Sequence, residues 1–242
     1  MQIDTARHAT GSEAAEAGSL VDFLIPICKA GCTDTGVLVT SEAVQVHGGY
    51  GFCADYAVEQ LYRDVRITPI WEGTNAIQSL DLVMRKMLLD PGQRMYGLWR
   101  ERVIRTVGEC RTRVEERYVS IVERAVTALD GAVAEMKARY ESRDLMQVYA
   151  DATVLQQAFF MASLAWMHLW GLARVTERLG GDVAGIPAGA GEDAGKSFYY
   201  GRALASRFYL GAEFPLFFGK IESVMAGERA AVECAPGLFS GA

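Results

Sequence analysis

The sequence lacks features that mark several large classes of protein. It has no excess of basic residues, since 24 Lys and Arg stand against 30 Asp and Glu and give a net charge of −6. Binding to phosphate backbones depends on clustered Lys and Arg, so this balance argues against nucleic acid as a main partner. Almost no stretch alternates apolar and polar side chains as a half-buried strand does, and no internal repeat is visible.

Cysteine is scarce and has no pairing pattern. The five thiols are odd in number and lie in apolar or helical contexts: Cys28, Cys32, Cys53, Cys110 and Cys234. This predicts reduced thiols in a reducing compartment, and therefore a cytoplasmic protein. Cys28 and Cys32 lie one helical turn apart, but no Cys or His pair stands nearby to complete a zinc site, so no metal site is predicted.

Signals for secretion or membrane insertion are also missing from the sequence. Residues 1–18, MQIDTARHATGSEAAEAG, are polar and acidic and have no apolar core of the kind found in a secretory signal. The uncharged stretch from Ala152 to Ala173 is long enough to cross a bilayer, but it carries Thr153, Gln156, Gln157, Ser163 and His168. Such polar content favours a buried helix, so no membrane span is predicted.

Helical periodicity dominates the first ninety residues. The apolar run Leu20–Lys29 and the segment Val37–Val46 predict two short helices, the second of which ends at HGGYG. Tyr56–Arg63 predicts a third helix. Thr74–Leu89 predicts a fourth, which the stop signal DPG at Asp90–Gly92 closes.

The rest of the chain is also predicted to be helical. One apolar stripe with spacings of three and four predicts a long helix through Val103, Val107, Cys110, Val114, Tyr118, Ile121 and Ala125. A helix at Gly131–Tyr140 is predicted either as a separate element or as a continuation of this long helix. Further helices are predicted at Phe159–Leu172, Lys196–Gly211 and Pro215–Ala226. The glycine- and alanine-rich stretch 180–195 predicts a flexible surface loop. The prediction is an all-α protein with two domains, residues 1–91 and 92–242.

The first candidate site is QVHGGYGF, Gln45–Phe52. Its glycines at positions 48, 49 and 51 allow positive φ angles and a close approach to another molecule. The Gln45 amide could hydrogen-bond a carbonyl or a phosphate. Gly-rich turns between helices are more often simple C-caps, and His47 alone is more often structural than catalytic.

The second candidate site is ITPIWEGTNAIQSL, Ile67–Leu80, which places Glu72 between Trp71 and Gly73. Thr74 suits the N-cap of the following helix. One interpretation is that Glu72 only favours the positive end of that helix. The other is a carboxylate beside a buried Trp71, in an apolar pocket that raises its pKa and suits it to proton abstraction.

Three motifs in order and spacing, SEAVQVHGGYGF, YAVEQLYRDVRI and IWEGTNAIQ, closely resemble the C-terminal helical domain of the acyl-CoA dehydrogenase family. The resemblance covers about Leu24–Lys86. The later helices resemble the additional helical domain of the family's larger branch, which includes the methylthiopropanoyl-CoA dehydrogenase type. The resemblance implies an incomplete four-helix bundle followed by a second helical bundle. The usual first bundle helix, the N-terminal domain and the middle β-domain have no counterpart in this sequence.

The resemblance also implies a flavoprotein site. Glu72 matches the base that removes the α-proton of an acyl-CoA thioester while FAD accepts the β-hydride, and the Glu72 N–H matches a group that binds the thioester carbonyl. Gly73 matches the residue that lets the thioester lie against the chain. The implied cofactor-binding residues are Gln45, Val46, His47, Gly48, Gly49, Thr74 and Asn75. Trp71 stands where tyrosine is usual, and Ala76 stands where several members have a polar flavin contact.

The implied partners are an acyl-CoA substrate, an electron-transfer partner, and either further copies of this chain or a second chain with the N-terminal and β-domains. The chain is then the C-terminal portion of a dehydrogenase that needs the missing domains for activity. The alternative is a non-catalytic remnant or helical interaction module that no longer binds FAD.

Overall fold

A computed structural model of the chain describes residues 8, 10–181, 183, 185, 187, 189–191, 194–235 and 237–238. These residues form helices and turns and contain no strand, which confirms the all-α prediction. Most of the N-terminal decapeptide and part of the predicted loop at 180–195 lie outside the described residues. The chain divides into two compact units, Met1–Tyr96 (unit 1) and Gly97–Ala242 (unit 2).

Unit 1 is built on one 36-residue helix, α1, which spans Gly11–Val46. The elements that pack against α1 are a 3-10 turn (Gly48–Phe52), α2 (Ala57–Val65), α3 (Asn75–Leu80) and a π-helical segment (Asp81–Leu88). A 3-10 turn at Pro91–Gln93 then leads into α4 (Arg94–Cys110), and Gly92 in that turn has a φ of 67°. The predicted stop at Asp90–Gly92 is therefore confirmed.

The two helices predicted at Leu20–Lys29 and Val37–Val46 are one continuous helix, so the predicted break between them was wrong. The intervening sequence AGCTDTG is rich in weak helix formers. Lys29 and Thr33 donate hydrogen bonds to the Asn75 side chain on α3, and the Asn75 amide donates to Asp34, which stabilises this part of α1. Tertiary contacts therefore override the local preference.

Helix α1 is long enough and apolar enough to cross a membrane by those two criteria alone. Core helices meet the same criteria. Within unit 1, α1 packs against α2, α3 and the π-helical segment and makes the polar contacts just described. We therefore interpret α1 as a packed helix of unit 1.

The two sides of α1 differ in burial. Its core-facing residues recur every three or four positions and are Ala17, Leu20, Phe23, Ile27 and Ala30. Leu82, Val83 and Met87 of the π-helical segment are buried too, and the ammonium of Lys86 pairs with Asp22 on α1. The other side of α1 stays exposed and includes Ile25, Cys28, Cys32, Val39 and Val46.

Unit 2 is a bundle around the 35-residue helix α6. Its elements are the rest of α4, α5 (Glu116–Glu141), α6 (Leu145–Leu179), α7 (Ala194–Phe208), a π-helical segment (Tyr209–Glu213), a 3-10 turn (Phe214–Leu216) and α8 (Phe217–Ala226). Helix α6 packs against α5, α7 and α8. The predicted buried helix at Phe159–Leu172 is the middle of α6.

The long helix predicted through Val103–Ala125 was wrong, because α4 ends at Cys110 and α5 begins at Glu116. The backbone N–H groups of Arg113 and Val114 donate to the Cys110 carbonyl at 2.9 and 3.0 Å and close a turn. No glycine or proline marks this turn. The apolar residues keep their three- and four-residue spacing across the turn, so the spacing alone predicted one continuous helix.

A polar network lies inside unit 2. The Arg139 guanidinium donates to Asp151 at 2.5 Å and to the Val224 carbonyl near the end of α8 at 2.9 Å. Gln147 donates to the same Asp151 oxygen at 2.9 Å and to the Glu228 carbonyl at 3.2 Å. All three side chains are at least nine-tenths buried. The network therefore joins α5 and α6 to the chain at and beyond the end of α8.

Candidate functional site

The segment that carries Glu72 forms a tight turn before α3. Glu72 has a φ of 55° and Gly73 a φ of 86°, so both lie in the left-handed region. This conformation costs a residue with a side chain about 1–2 kcal/mol, so neighbouring contacts have to hold it. The φ of 86° favours glycine at position 73, and an added Cβ there would lie 2.8 Å from Nε2 of Gln78, which would have to move.

Two side chains hold the carbonyl groups of this turn. Nε2 of Gln78 donates to the Glu72 carbonyl at 3.2 Å. Nζ of Lys29, on α1, donates to the Gly73 carbonyl at 2.7 Å. The left-handed backbone is therefore fixed from α3 on one side and from α1 on the other.

Helix α3 begins directly after the turn. Thr74 is its N-cap, as predicted, and the Thr74 hydroxyl accepts a hydrogen bond from the Ile77 N–H at 3.4 Å. The Asn75 N–H donates to the Pro69 carbonyl at 3.1 Å and closes the loop that leads into the turn. The start of α3 therefore has a defined backbone geometry.

The Asn75 side chain faces α1 and is engaged there. Its Nδ2 donates to Asp34 at 2.6 Å, Thr33 at 3.0 Å and the Ala30 carbonyl at 3.2 Å. Its Oδ1 accepts from the Lys29 ammonium at 2.9 Å. Sequence reasoning missed Lys29, Thr33 and Asp34. Their spacing on one side of a mostly apolar helix was the available signal.

The burial predicted for Trp71 was wrong, because its side chain is 62% exposed. The turn contacts α1 through the Gly73 carbonyl and the Asn75 side chain, and the side chains before them stay at the surface of unit 1. Glu72 is exposed as well, and so are Ile67, Ile70 and Ile77. Within the described part of unit 1, no apolar pocket encloses the Glu72 carboxylate.

The other predicted segment, Gln45–Gly49, lies at the end of α1 and is exposed throughout. Gly48 has a φ of 61°, which suits a glycine at a helix end. The His47 ring nitrogen Nδ1 lies 2.9 Å from the Ala43 carbonyl, and the ring meets Tyr56 edge-to-face at 6.3 Å. His47 thus caps the helix in this structure.

The structure separates the two predicted segments. Glu72, Gly73, Thr74 and Asn75 form one turn, which contacts Lys29 on α1. Gln45 lies sixteen residues further along the same helix, or about 24 Å at 1.5 Å per residue. The contacts of unit 1 therefore do not bring Gln45–Gly49 to Glu72.

Unit 2 contains a histidine–serine pair. Nδ1 of His168 lies 3.1 Å from the Ser206 hydroxyl, and its ring stacks on Tyr209 with centroids 4.6 Å apart. Burial lowers the pKa of the His168 imidazole, and the charge of Arg202 lowers it further. Ser206 is 2% exposed, so a substrate could not reach its hydroxyl. We interpret the pair as part of the core.

Comparison with known protein families accounts for both units. Residues 4–88 match the acyl-CoA dehydrogenase C-terminal domain. Residues 103–235, more than half of the chain, match the family described as acetyl-CoA dehydrogenase C-terminal like. The chain belongs to the acyl-CoA dehydrogenase family. The match to residues 4–88 includes both candidate segments.

Individual relatives agree with this assignment. Butyryl-CoA dehydrogenase of Syntrophomonas wolfei is 30% identical over 238 residues, which are 96% of this chain and 37% of the relative. The 3-methylmercaptopropionyl-CoA dehydrogenase of Ruegeria pomeroyi is 47% identical over 107 residues, which are 44% of this chain and 18% of the relative. The broad-specificity linear acyl-CoA dehydrogenase FadE5 of Mycobacterium tuberculosis is 29% identical over 85% of this chain and 33% of its own length. The chain thus spans well under half the length of these relatives.

Proposed function

We propose that this chain forms the C-terminal part of a flavin-dependent acyl-CoA dehydrogenase and that Glu72 is its catalytic base. The observation that carries the proposal is the turn at Glu72 and Gly73. In a chain of this family, a glutamate occupies a left-handed conformation that side chains rarely adopt, and hydrogen bonds from two helices hold it there. Strain of this kind is concentrated at functional sites.

In the proposed reaction the Glu72 carboxylate takes the proton from the α-carbon of an acyl-CoA thioester. The Glu72 N–H donates to the thioester carbonyl oxygen and stabilises the negative charge that develops there. Gly73 has no side chain, so the thioester can lie against the backbone. FAD, when bound, supplies the acceptor for the β-hydride.

Several described residues fit a flavin cofactor. Gln45–Gly49 is exposed, and the positive φ of Gly48 leaves the backbone open to a close approach. The Thr74 hydroxyl accepts from Ile77, which leaves its own hydrogen available to an acceptor on the cofactor. Asn75 fits less well, because its amide is bonded to α1. Its flavin contact stays a prediction.

The distance between Gln45–Gly49 and the turn at Glu72 supports a site in which the two segments contact different FAD molecules. About 24 Å of α1 lies between the level of Lys29 and Gln45. We therefore propose that Gln45–Gly49 contacts FAD held by another subunit, either a further copy of this chain or a chain with the N-terminal and β-domains. The exposed Trp71 side chain could likewise be covered by another subunit.

The proposed substrate is an acyl-CoA thioester, the class named for the dehydrogenase relatives described above. An electron-transfer partner would reoxidise the flavin. The domains that the relatives carry in the rest of their length would complete the pocket around Glu72, and the reducing cytoplasm suits the free thiols.

The test begins with the visible spectrum of the purified chain after FAD is added and the excess is removed. Co-expression with the N-terminal part of Syntrophomonas wolfei butyryl-CoA dehydrogenase is the second preparation. We expect a retained flavin band in one of the two, and bleaching of that band by butyryl-CoA under anaerobic conditions. Glu72→Gln should keep the band and slow bleaching about 10²- to 10⁴-fold. Glu222→Gln, an exposed change on α8, should slow nothing.

The second candidate function is a helical interaction module without FAD. The exposure of apolar side chains on α1 and around Trp71 favours a surface that another polypeptide covers. A protein that is colourless in both preparations would support this function. A flavin band that Glu72→Gln still bleaches at the normal rate would contradict the proposed base.

A further inference from the structure

Lys29 reaches from α1 to the turn that carries Glu72. Its ammonium lies 2.7 Å from the Gly73 carbonyl and 2.9 Å from Oδ1 of Asn75. These partners are 44 and 46 residues away in the sequence, so the contacts form only when unit 1 is folded. Hydrogen bonds from a charged donor are stronger than those between neutral groups.

The position of this contact matters for the reacting groups. The Gly73 carbonyl follows a backbone whose φ angles are 55° at Glu72 and 86° at Gly73. The φ angle at Glu72 sets the direction of its side chain relative to its N–H. If the Gly73 carbonyl were released, the turn could relax toward a conformation that side chains prefer, and both groups would change direction.

We propose that Lys29 is a positioning residue. It holds the turn so that the Glu72 carboxylate faces the α-carbon of the substrate while the Glu72 N–H faces the thioester carbonyl oxygen. The inference rests on the proposed function of Glu72. Lys29 itself does not contact the reacting atoms. Its loss should therefore reduce turnover more than substrate binding, because most of an acyl-CoA molecule lies away from the thioester.

Lys86 offers a matched control. Its side chain is nearly buried, and its ammonium pairs with Asp22 on α1 and lies 3.9 Å from Asp81. Like Lys29, it ties α1 to the region around α3 through a charge. Asp22 and Asp81 both lie outside the turn, so Lys86→Met reports the general effect of losing a lysine contact in unit 1.

Hydrogen–deuterium exchange on the full chain tests the structural half of the proposal. In Lys29→Met we expect exchange in peptides covering residues 67–78 to rise about 10-fold or more, because each of the two hydrogen bonds from the ammonium would contribute on that scale. Lys86→Met should raise exchange in the π-helical segment and leave residues 67–74 unchanged. Lys29→Arg, which keeps the charge and donors, should restore part of the protection.

Kinetics of the flavin-loaded enzyme test the functional half. We expect Lys29→Met to lower kcat about 10- to 100-fold, the scale of a small misplacement of reacting groups. KM should change less than about 3-fold, and Lys29→Arg should recover most of kcat. Lys86→Met should leave kcat within about 3-fold of the starting enzyme, because its contacts do not orient Glu72.

The positioning role of Lys29 and the catalytic role of Glu72 fail on different results. Unchanged exchange at residues 67–78 in Lys29→Met overturns the positioning role. So does a normal kcat in Lys29→Met where Glu72→Gln is inactive, or an equal loss of kcat in Lys86→Met. Normal turnover in Glu72→Gln overturns the proposed base instead, and the exchange data then report only how the turn is held.

Discussion

Among the described residues, unit 1 buries ten apolar residues and exposes fourteen large ones, whereas unit 2 buries thirty-two and exposes eleven. Unit 2 therefore encloses a core of its own. Unit 1 leaves more apolar side chains outside than inside, and exposed patches of that kind mark surfaces that another molecule covers. The family motifs therefore lie in the unit that buries fewer apolar side chains within the chain itself.

Polar contacts divide in the same way. In unit 2 the network of Arg139, Asp151 and Gln147 is buried and joins three parts of the bundle. In unit 1 the bonds from Lys29 and Asn75 fix a turn at the surface. The buried network serves stability, and the surface network serves the geometry of one glutamate.

The largest difference in stability should separate two tryptophan-to-alanine substitutions, one at Trp99 in unit 2 and one at Trp71 in unit 1. Trp99 is fully buried and meets Phe159 edge-to-face at 5.4 Å, so Trp99→Ala should lower the free energy of unfolding by about 3–5 kcal/mol. Trp71→Ala should change it by less than about 0.5 kcal/mol, because that side chain is exposed. Urea unfolding followed by circular dichroism measures both. A large loss in Trp71→Ala would show that unit 1 already covers this residue in solution.

The next effect concerns the buried network. Arg139→Met leaves the Asp151 carboxylate buried without its charged partner, so we expect a loss of about 3 kcal/mol in the same measurement. Arg105→Met is the control, because the Arg105–Glu101 pair is more than half exposed and should contribute less than about 1 kcal/mol. The double change Arg139→Met with Asp151→Leu should be more stable than Arg139→Met alone. If it is less stable, the charge pair is not the cause.

Thiol reactivity distinguishes the units through a smaller effect. Burial first, and the charge of Glu109 second, raise the pKa of the Cys110 thiol in unit 2 from 9.0 to about 11. At pH 8 its thiolate fraction is then about 100-fold below that of an ordinary thiol. Alkylation by iodoacetamide, followed by peptide mass spectrometry, should label Cys32 and Cys53 of unit 1 early and Cys110 last. Equal labelling of Cys110 in the folded chain would contradict its burial.

The smallest effect comes from two glycines at helix ends in unit 2. Gly180 and Gly227 both follow helices with positive φ, at 75° and 59°. An added Cβ at Gly180 meets nothing within 4 Å, but at Gly227 it would lie 2.9 Å from Arg139. Gly180→Ala should therefore lose about 1 kcal/mol, and Gly227→Ala about 1 kcal/mol more. Equal losses, measured by thermal unfolding, would show that the Arg139 side chain moves aside freely.

The parts of the fold that the sequence predicted correctly depend on local chemistry. Thr74 caps α3, DPG stops the helical segment before it, and HGGYG ends α1, because threonine, proline and glycine act on their own backbone. The errors depend on distant partners. The join of α1 across Ala30–Gly36 rests on Asn75, more than forty residues away.

The candidate site shows the same limit. Motif spacing identified Glu72 and Gly73, but the left-handed backbone at Glu72 breaks the usual rule for a residue with a side chain. Lys29 was missed because a lysine on an amphipathic helix normally faces solvent. Trp71 was misplaced because an apolar side chain is expected to be buried, and nothing in the local sequence shows that this turn lies at the surface of unit 1.

The exposed Trp71 side chain also makes the region beside Glu72 visible to fluorescence. Indole emission shifts to shorter wavelength when water leaves its surroundings, and Trp99 and Trp166 are already buried. Only Trp71 lies next to the catalytic candidate in the chain, while Trp170 lies on α6. A spectrum of Trp170→Phe would therefore report the arrival of substrate, flavin or a partner subunit at this turn, without any added label.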